Sequence, residues 1–317
     1  MHHDAQLIAQ SILELKQNSD TVKDYLFPVL MSFFSALLGG LCAYYFNQRQ
    51  ERNKNEKENF SVATKIFTSA LTALNQLIGI KANYCNLHST DPIMRALSFP
   101  AMILGEDKFS VDLSSMSFIK NIPTANKSIY VRWNEYIKHN ILKRKRNYPS
   151  DEEMSKSWRN YNRLGACVNN YNYIMDLLKT RSMLDIEIKE KLTDKHTELC
   201  QEYPMGGMSL PINVILETID YNRLAKYIDL TEKIICLTDN VLKELDSFVV
   251  EFPKIAESNI ELSKVGRGVK MIAVKNKRPM YLTCMKPVVP PDFTIISQIT
   301  GMSIEEARNR YTFSDWY

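Results

Sequence analysis

Residues 25–48 read YLFPVLMSFFSALLGGLCAYYFNQ and contain no charged side chain. As a helix, Tyr25 to Phe46 covers roughly 33 Å, enough to cross a hydrocarbon core. Tyr25 at one end and Tyr44 and Tyr45 at the other suit the two aromatic belts of a bilayer. Pro28 falls in the first turn, where its missing N–H matters least. Charge-free runs of this length are uncommon in soluble cores, so a buried core helix is the weaker reading. The run is also too long, starts too late and lacks a small-x-small site after it, which argues against a cleaved signal peptide.

Lys and Arg counts orient the span. The N-terminal side has Lys16 and Lys23, whereas Arg49, Arg52, Lys54 and Lys57 crowd the other flank. The positive-inside rule therefore predicts a single-pass protein of the inner (plasma) membrane, with its N-terminus outside and residue 47 onward in the cytoplasm. Within the span, Ser32, Ala36 and Gly40 form one row of small residues, and Ser35, Gly39 and Ala43 an adjacent one. Small residues four apart let two backbones approach closely in lipid, so these six predict a homo-oligomer.

Working outward, residues 1–24 are a tail whose stretch 5–17 has Ala5, Ile8, Ile12 and Leu15 at helical spacing, as in a helix lying on a membrane surface. Residues 47–59 have no apolar side chain and no Pro or Gly, and read as a solvated helical extension. Phe60, Ala63, Phe67, Ala70, Leu74, Leu77, Lys81 and Tyr84 then step by three and four. Ile66, Leu71, Ile78 and Ile80 widen that stripe, which predicts a bundle helix rather than an isolated coiled coil. The membrane helix and this stalk, 47–88, are expected to be nearly continuous.

The next region, 89–250, is expected to be a helical domain. Thr90-Asp91-Pro92 reads as a helix start, with a capping Asp and Pro at the first position. Residues 98–128 carry Pro100, Gly105 and Pro123 and resist assignment. A helix is predicted from Ser128 to about Arg146, with Ile129, Trp133, Tyr136, Ile137 and Ile141 on one packed face. Ser150 and Glu153 form a capping box opening a helical stretch to about Leu199. Ser209 is the expected cap of another, Ile212 to about Val250, terminated near Pro253. In 251–317, Val269–Val274 and Met280–Met285 flank Lys275–Arg278 and predict a β-hairpin, followed by a Pro-rich connector and two short helices. The fold class is therefore mostly α, with one membrane helix, a cytoplasmic bundle and a small C-terminal hairpin.

The chain has 317 residues, 45% hydrophobic and 24% charged, with a net charge of +4, which excludes disorder and a disulfide mini-scaffold. Its six cysteines are widely dispersed, so no local zinc knuckle forms and the thiols are expected to be reduced. There is no P-loop, dinucleotide fingerprint, HExxH or GxSxG, and the five histidines are too scattered for an obvious metal site. No cofactor or metal is expected.

Arg132 and His139, in RWNEYIKH, have six residues between them. This resembles the loose Arg-x(4–6)-His element of helical ribonucleases of HEPN type. The resemblance covers eight residues and places Trp133 where a polar residue commonly follows the Arg. It implies a His that activates a 2′-hydroxyl and an Arg that stabilises phosphate charge. The plainer reading, a surface Arg and His on a packed helix, is the stronger. Lys143-Arg-Lys-Arg146 closes the same helix, where cations complement its dipole.

The strongest charge signal is C-terminal. Lys264, Arg267, Lys270, Lys275, Lys277, Arg278 and Lys286 are uninterrupted by an acid between Glu261 and Asp292. They predict a surface for an anionic ligand: lipid headgroup, nucleotide or RNA. The alternative is an edge strand kept soluble by lysines. The final ISQITGMSIEEARNRY resembles a helix-turn-helix, but Glu305 and Glu306 balance Arg308 and Arg310, so sequence-specific DNA binding is not expected. The functional expectation is a non-enzymatic, bacterial-type membrane sensor or scaffold, or an effector that perturbs the membrane when triggered, as phage-defence effectors do. A membrane-tethered HEPN-like ribonuclease and an anionic-lipid-binding protein are the alternatives.

Overall fold

The computed structural model describes residues 2–17, 25–102, 105, 108–120, 129–143, 149–202 and 210–312. The chain is mostly helical: α1 (His2–Gln17), α2 (Phe27–Ala82), α3 (Pro92–Ser98), α4 (Ile129–Tyr136), α5 (Asp151–Lys156), α6 (Tyr161–Glu202), α7 (Ile212–Thr218), α8 (Tyr221–Asn259), α9 (Leu262–Val265), α10 (Pro279–Cys284), α11 (Phe293–Thr300) and α12 (Ile304–Tyr311). It divides into two compact units, Met1–Lys57 and Glu58–Tyr317.

In the first unit, α2 begins with the charge-free run, whose apolar side chains are exposed from Phe27 to Phe46. By length and composition this helix can cross a membrane. In the second unit the same helix carries the three-four stripe. Ala63, Ala70, Leu74, Leu77 and Lys81 are buried along it, with Phe60 and Phe67 partly so.

The core of the second unit is built on α8, 39 residues long and packed against α6 and α3. One apolar cluster joins the C-terminal half of α2, α6 and α8 from Leu230 onward, closed by Phe99, Trp158 and Tyr281. Trp158 donates its indole N–H to Ser247 Oγ at 2.9 Å, sits edge-on to Phe248 and lies under the Arg163 guanidinium. A smaller cluster joins Ile93 and Ala96 of α3, Ile188 and Leu192 of α6, Ile215 of α7, Leu224, Tyr227 and Ile228 of α8, Ile296 of α11 and Ala307 of α12.

Local signals set several boundaries as expected. Asp91 accepts from the Ile93 and Met94 N–H groups, Ser150 and Glu153 cap reciprocally, and Gly301 takes the left-handed conformation (φ 73°) that ends α11. The stretch opened by that capping box is two pieces. It breaks at 157–160, where Asn160 Oδ1 accepts from the Asn162 N–H and opens α6. The Ser209 cap lies outside the described residues, and α7 starts after Pro211.

Three expectations are corrected. The stretch 212–250 breaks at Ile219, whose backbone is extended, and restarts at Asp220. Its second part does not stop at Pro253. A proline inside a helix leaves the carbonyl four residues back without its donor. Here that carbonyl belongs to Val249, and the Val274 N–H, 3.4 Å away in a different segment, occupies it. The helix thus runs on to Asn259 with Pro253 buried.

The third correction is the hairpin: there is no strand among the described residues. Residues 269–278 form no regular element and lie against α8, not against a second strand. The Met271 N–H donates to Glu257 Oε1 at 2.9 Å, and Val274 is committed to Val249. The other half of the expected hairpin folds as α10, because Pro279 stands at its first position with Arg278 as the cap.

Candidate functional site

The basic segment is a strap laid antiparallel along α8. Gly266 and Gly268 swing the chain out of α9; Gly268 has φ +76°, a conformation only glycine adopts without strain. From Val269 to Ala273 the exposure alternates. Val269, Met271 and Ala273 are half-buried, while Lys270, Ile272, Lys275, Lys277 and Arg278 face solvent. The alternation breaks at Ala273 and Val274, both half-buried, and the surface the segment packs on is a helix.

A row of carboxylates on α8 holds this strap and the connector behind it. Glu232, Asp239, Asp246 and Glu257 are separated by 7, 7 and 11 residues, which returns them to one helical face. Glu257 takes the Met271 N–H, and Asp246 takes the Tyr281 hydroxyl at 2.5 Å. Asp239 takes the Val288 N–H at 3.2 Å and pairs with Lys81 Nζ at 2.5 Å. Glu232 receives Arg95 in a two-pronged pair, 2.7 and 2.8 Å. Lys81 and Arg95 extend the lacing, donating to the Lys286 and Val289 carbonyls at 2.6 Å each.

Burial pushes the Glu232 and Asp239 carboxyls up from their ordinary range, with Arg95 and Lys81 pulling the other way. Arg181, fully buried, performs a related task. It donates to the Ala96 and Phe99 carbonyls at 2.7 Å, satisfying the C-terminal end of α3, and also meets Asp185, Thr231 and Tyr227. These buried charges stitch elements together.

Of the basic residues named from sequence, Lys264 is engaged by Glu261 at 2.5 Å. Arg267, Lys270, Lys275, Lys277, Arg278 and Lys286 are exposed, and none forms an ion pair with a described residue. The fold thus spends acidic groups on holding the strap's backbone and leaves its cations pointing out. The small residues Ser32, Ser35, Ala36, Gly39, Gly40 and Ala43 all lie exposed on α2, and a methyl added at Gly39 or Gly40 meets nothing within 4 Å.

Arg132 lies on α4, and His139 on the π-helical turn Ile137–Ile141 that follows it. The α-helical spacing between them is therefore interrupted, and their side chains lie outside the described residues. Of the basic run ending that helix, Lys143 is exposed and Arg144–Arg146 lie outside the described residues.

Elsewhere, a cleft of about 500 Å³ beside α2 and α6 is lined by Gln76, Gly79, Asn83, Met102, Tyr171 and Met175 among others, none of them charged. Burial pushes the Cys167 thiol up to about 12 and Cys236 to about 11, which keeps both protonated. Among the described residues no group of His, Cys, Asp and Glu converges as metal ligands do.

Sequence reading missed the acidic row, although its spacing within an apolar run was a usable signal. It also placed the α4 aromatics in a packed face. They are instead exposed: Tyr130 80%, Trp133 69% and Tyr136 62%. No family model, curated protein or solved structure matches the chain.

Proposed function

We propose that this chain is a single-pass membrane protein whose helical unit binds a phosphate-bearing anion through the α8 strap, working by binding and not by catalysis. One observation carries the reading. The first part of α2 exposes twelve large apolar side chains between Phe27 and Phe46, while the apolar stripe of its second part is buried. At about 1.5–3 kcal/mol each, moving those twelve out of water is worth on the order of 20–35 kcal/mol. Lipid is the solvent that supplies it.

The Lys and Arg bias then sets the N-terminus outside and the helical unit in the cytoplasm of the plasma membrane. The small-residue rows serve self-association in that membrane. The role is that of a sensor or scaffold, or of an effector triggered by its ligand. The six exposed strap cations fit lipid headgroups, nucleotides and RNA alike, since all present phosphate.

The experiment uses the full chain in vesicles. It should float with them and resist alkaline carbonate. Anionic vesicles, a nucleoside triphosphate and a short RNA are then compared as ligands at low and moderate salt. Binding should weaken steeply with salt, and further when Lys275, Lys277 and Arg278 become Ser. Recovery of the chain in the carbonate supernatant overturns the anchor. Salt-insensitive or unchanged binding in the triple variant overturns the strap as the site.

A further inference from the structure

We infer that α4 is a second membrane contact, an interfacial helix that lies in the headgroup region of an anionic bilayer. The inference rests on the anchoring part of the reading above but not on the strap. Its first support is exposure. Tyr130 and Trp133, with Ile137, recur at helical spacing; Tyr136 borders them, and Ile141 and Leu142 continue the apolar surface beyond the π turn. All but Ile137, which is half-buried, are exposed, and Tyr130 is more open to water than any other large apolar residue among the described residues of this unit.

The second support is residue type. Trp and Tyr carry an apolar ring with a polar edge, and they concentrate where acyl chains meet headgroups. The third is charge. Between Ile129 and Arg146 the sequence has six Lys and Arg and one acid, Glu135. Lys138 and Lys143, the two whose side chains are described, are both exposed. An exposed aromatic face flanked by cations is the composition of an in-plane membrane helix.

A second copy of the chain would cover apolar area equally well, but a like-charged partner gains nothing from those cations, whereas anionic lipid does. The covalent link to the membrane helix keeps the bilayer at high local concentration, so even a weak interfacial contact is populated. The lipid surface is therefore the occupant the composition fits.

The test uses the full chain reconstituted in vesicles whose acyl chains carry bromine, which quenches tryptophan in contact with them. Trp158 is buried in protein, and any signal from Trp316 is common to both proteins compared. Wild type should show a blue-shifted component quenched by brominated lipid, and Trp133→Phe should lose it at unchanged helicity. The component should grow when phosphatidylglycerol replaces phosphatidylcholine, and K138E/K143E should remove that growth.

Equal quenching in wild type and W133F overturns the inference while leaving the anchor intact, provided both proteins still float. A chain that does not float overturns both. Protection of Trp133 that follows protein density and ignores bromine assigns the face to a second copy and overturns the lipid contact.

Discussion

Arg95→Met tests whether the buried pairs on α8 hold the C-terminal strap in place. Arg95 and Glu232 are 1% and 2% exposed at the side chain, so water cannot replace a lost partner. Methionine keeps most of the stem volume and removes four hydrogen bonds: two to Glu232, one to the Ser89 carbonyl and one to the Val289 carbonyl. Leaving a buried charge unpaired costs about 3–5 kcal/mol. The carboxyl can escape by taking up a proton, which at pH 7 costs about 3.7 kcal/mol from an ordinary Glu value near 4.3, and so limits the penalty. Two carbonyls without donors add about 1 kcal/mol each. The expected loss at pH 7 is therefore about 5–6 kcal/mol, a large part of the roughly 5–15 kcal/mol available to a folded domain.

The same argument fixes a pH dependence. Burial already raises Glu232, and without Arg95 it rises further. A carboxyl with a raised folded value contributes its stability below the unfolded value, near 4.3, and loses it as pH climbs through the folded value. The R95M deficit should thus be smallest near pH 4.5 and grow by up to about 1.4 kcal/mol per pH unit toward neutrality. In R95M/E232Q the deficit should shrink and lose this slope, because no buried charge remains. Urea unfolding of the full chain in mild detergent, followed by the emission of Trp158, measures all three variants. A deficit in R95M that is flat with pH, or simply additive with E232Q, would refute the reasoning and reduce the pair to packing.

Further outcomes follow from particular contacts. Gly39→Leu with Gly40→Leu should abolish crosslinked oligomers in membranes without affecting insertion, and an unchanged crosslinking pattern rules that face out. Gly268→Ala should cost about 1–2 kcal/mol, since the added methyl meets open space and only the left-handed backbone is strained; a melting temperature equal to wild type contradicts this. Tyr281→Phe removes the bond to Asp246 and should cost about 1 kcal/mol. That loss should vanish in an Asp246→Ala background, which removes the acceptor, if this contact is its source, and a full loss there assigns it elsewhere.

What the sequence discloses and what it hides differ in range. The membrane run, the three-four stripe of α2 and the caps at Asp91 and Ser150 are written within a few turns of chain, where spacing alone determines geometry. The strap is half disclosed. Its departure from helix is legible from Val269 onward, and the inference fails on what the segment packs against. A non-helical segment with one side covered is satisfied equally by a neighbouring strand and by a helix face. The choice lies in residues far away in sequence: Pro253 orphaning the Val249 carbonyl, and Glu257 and Asp246 standing where backbone and hydroxyl donors need acceptors. A hairpin would have paired the segment with itself and left Val249 without a partner. The cations are legible for the same reason that the partner is not. Their number is read within one short segment, whereas the acids of α8 that hold the strap lie elsewhere in the sequence.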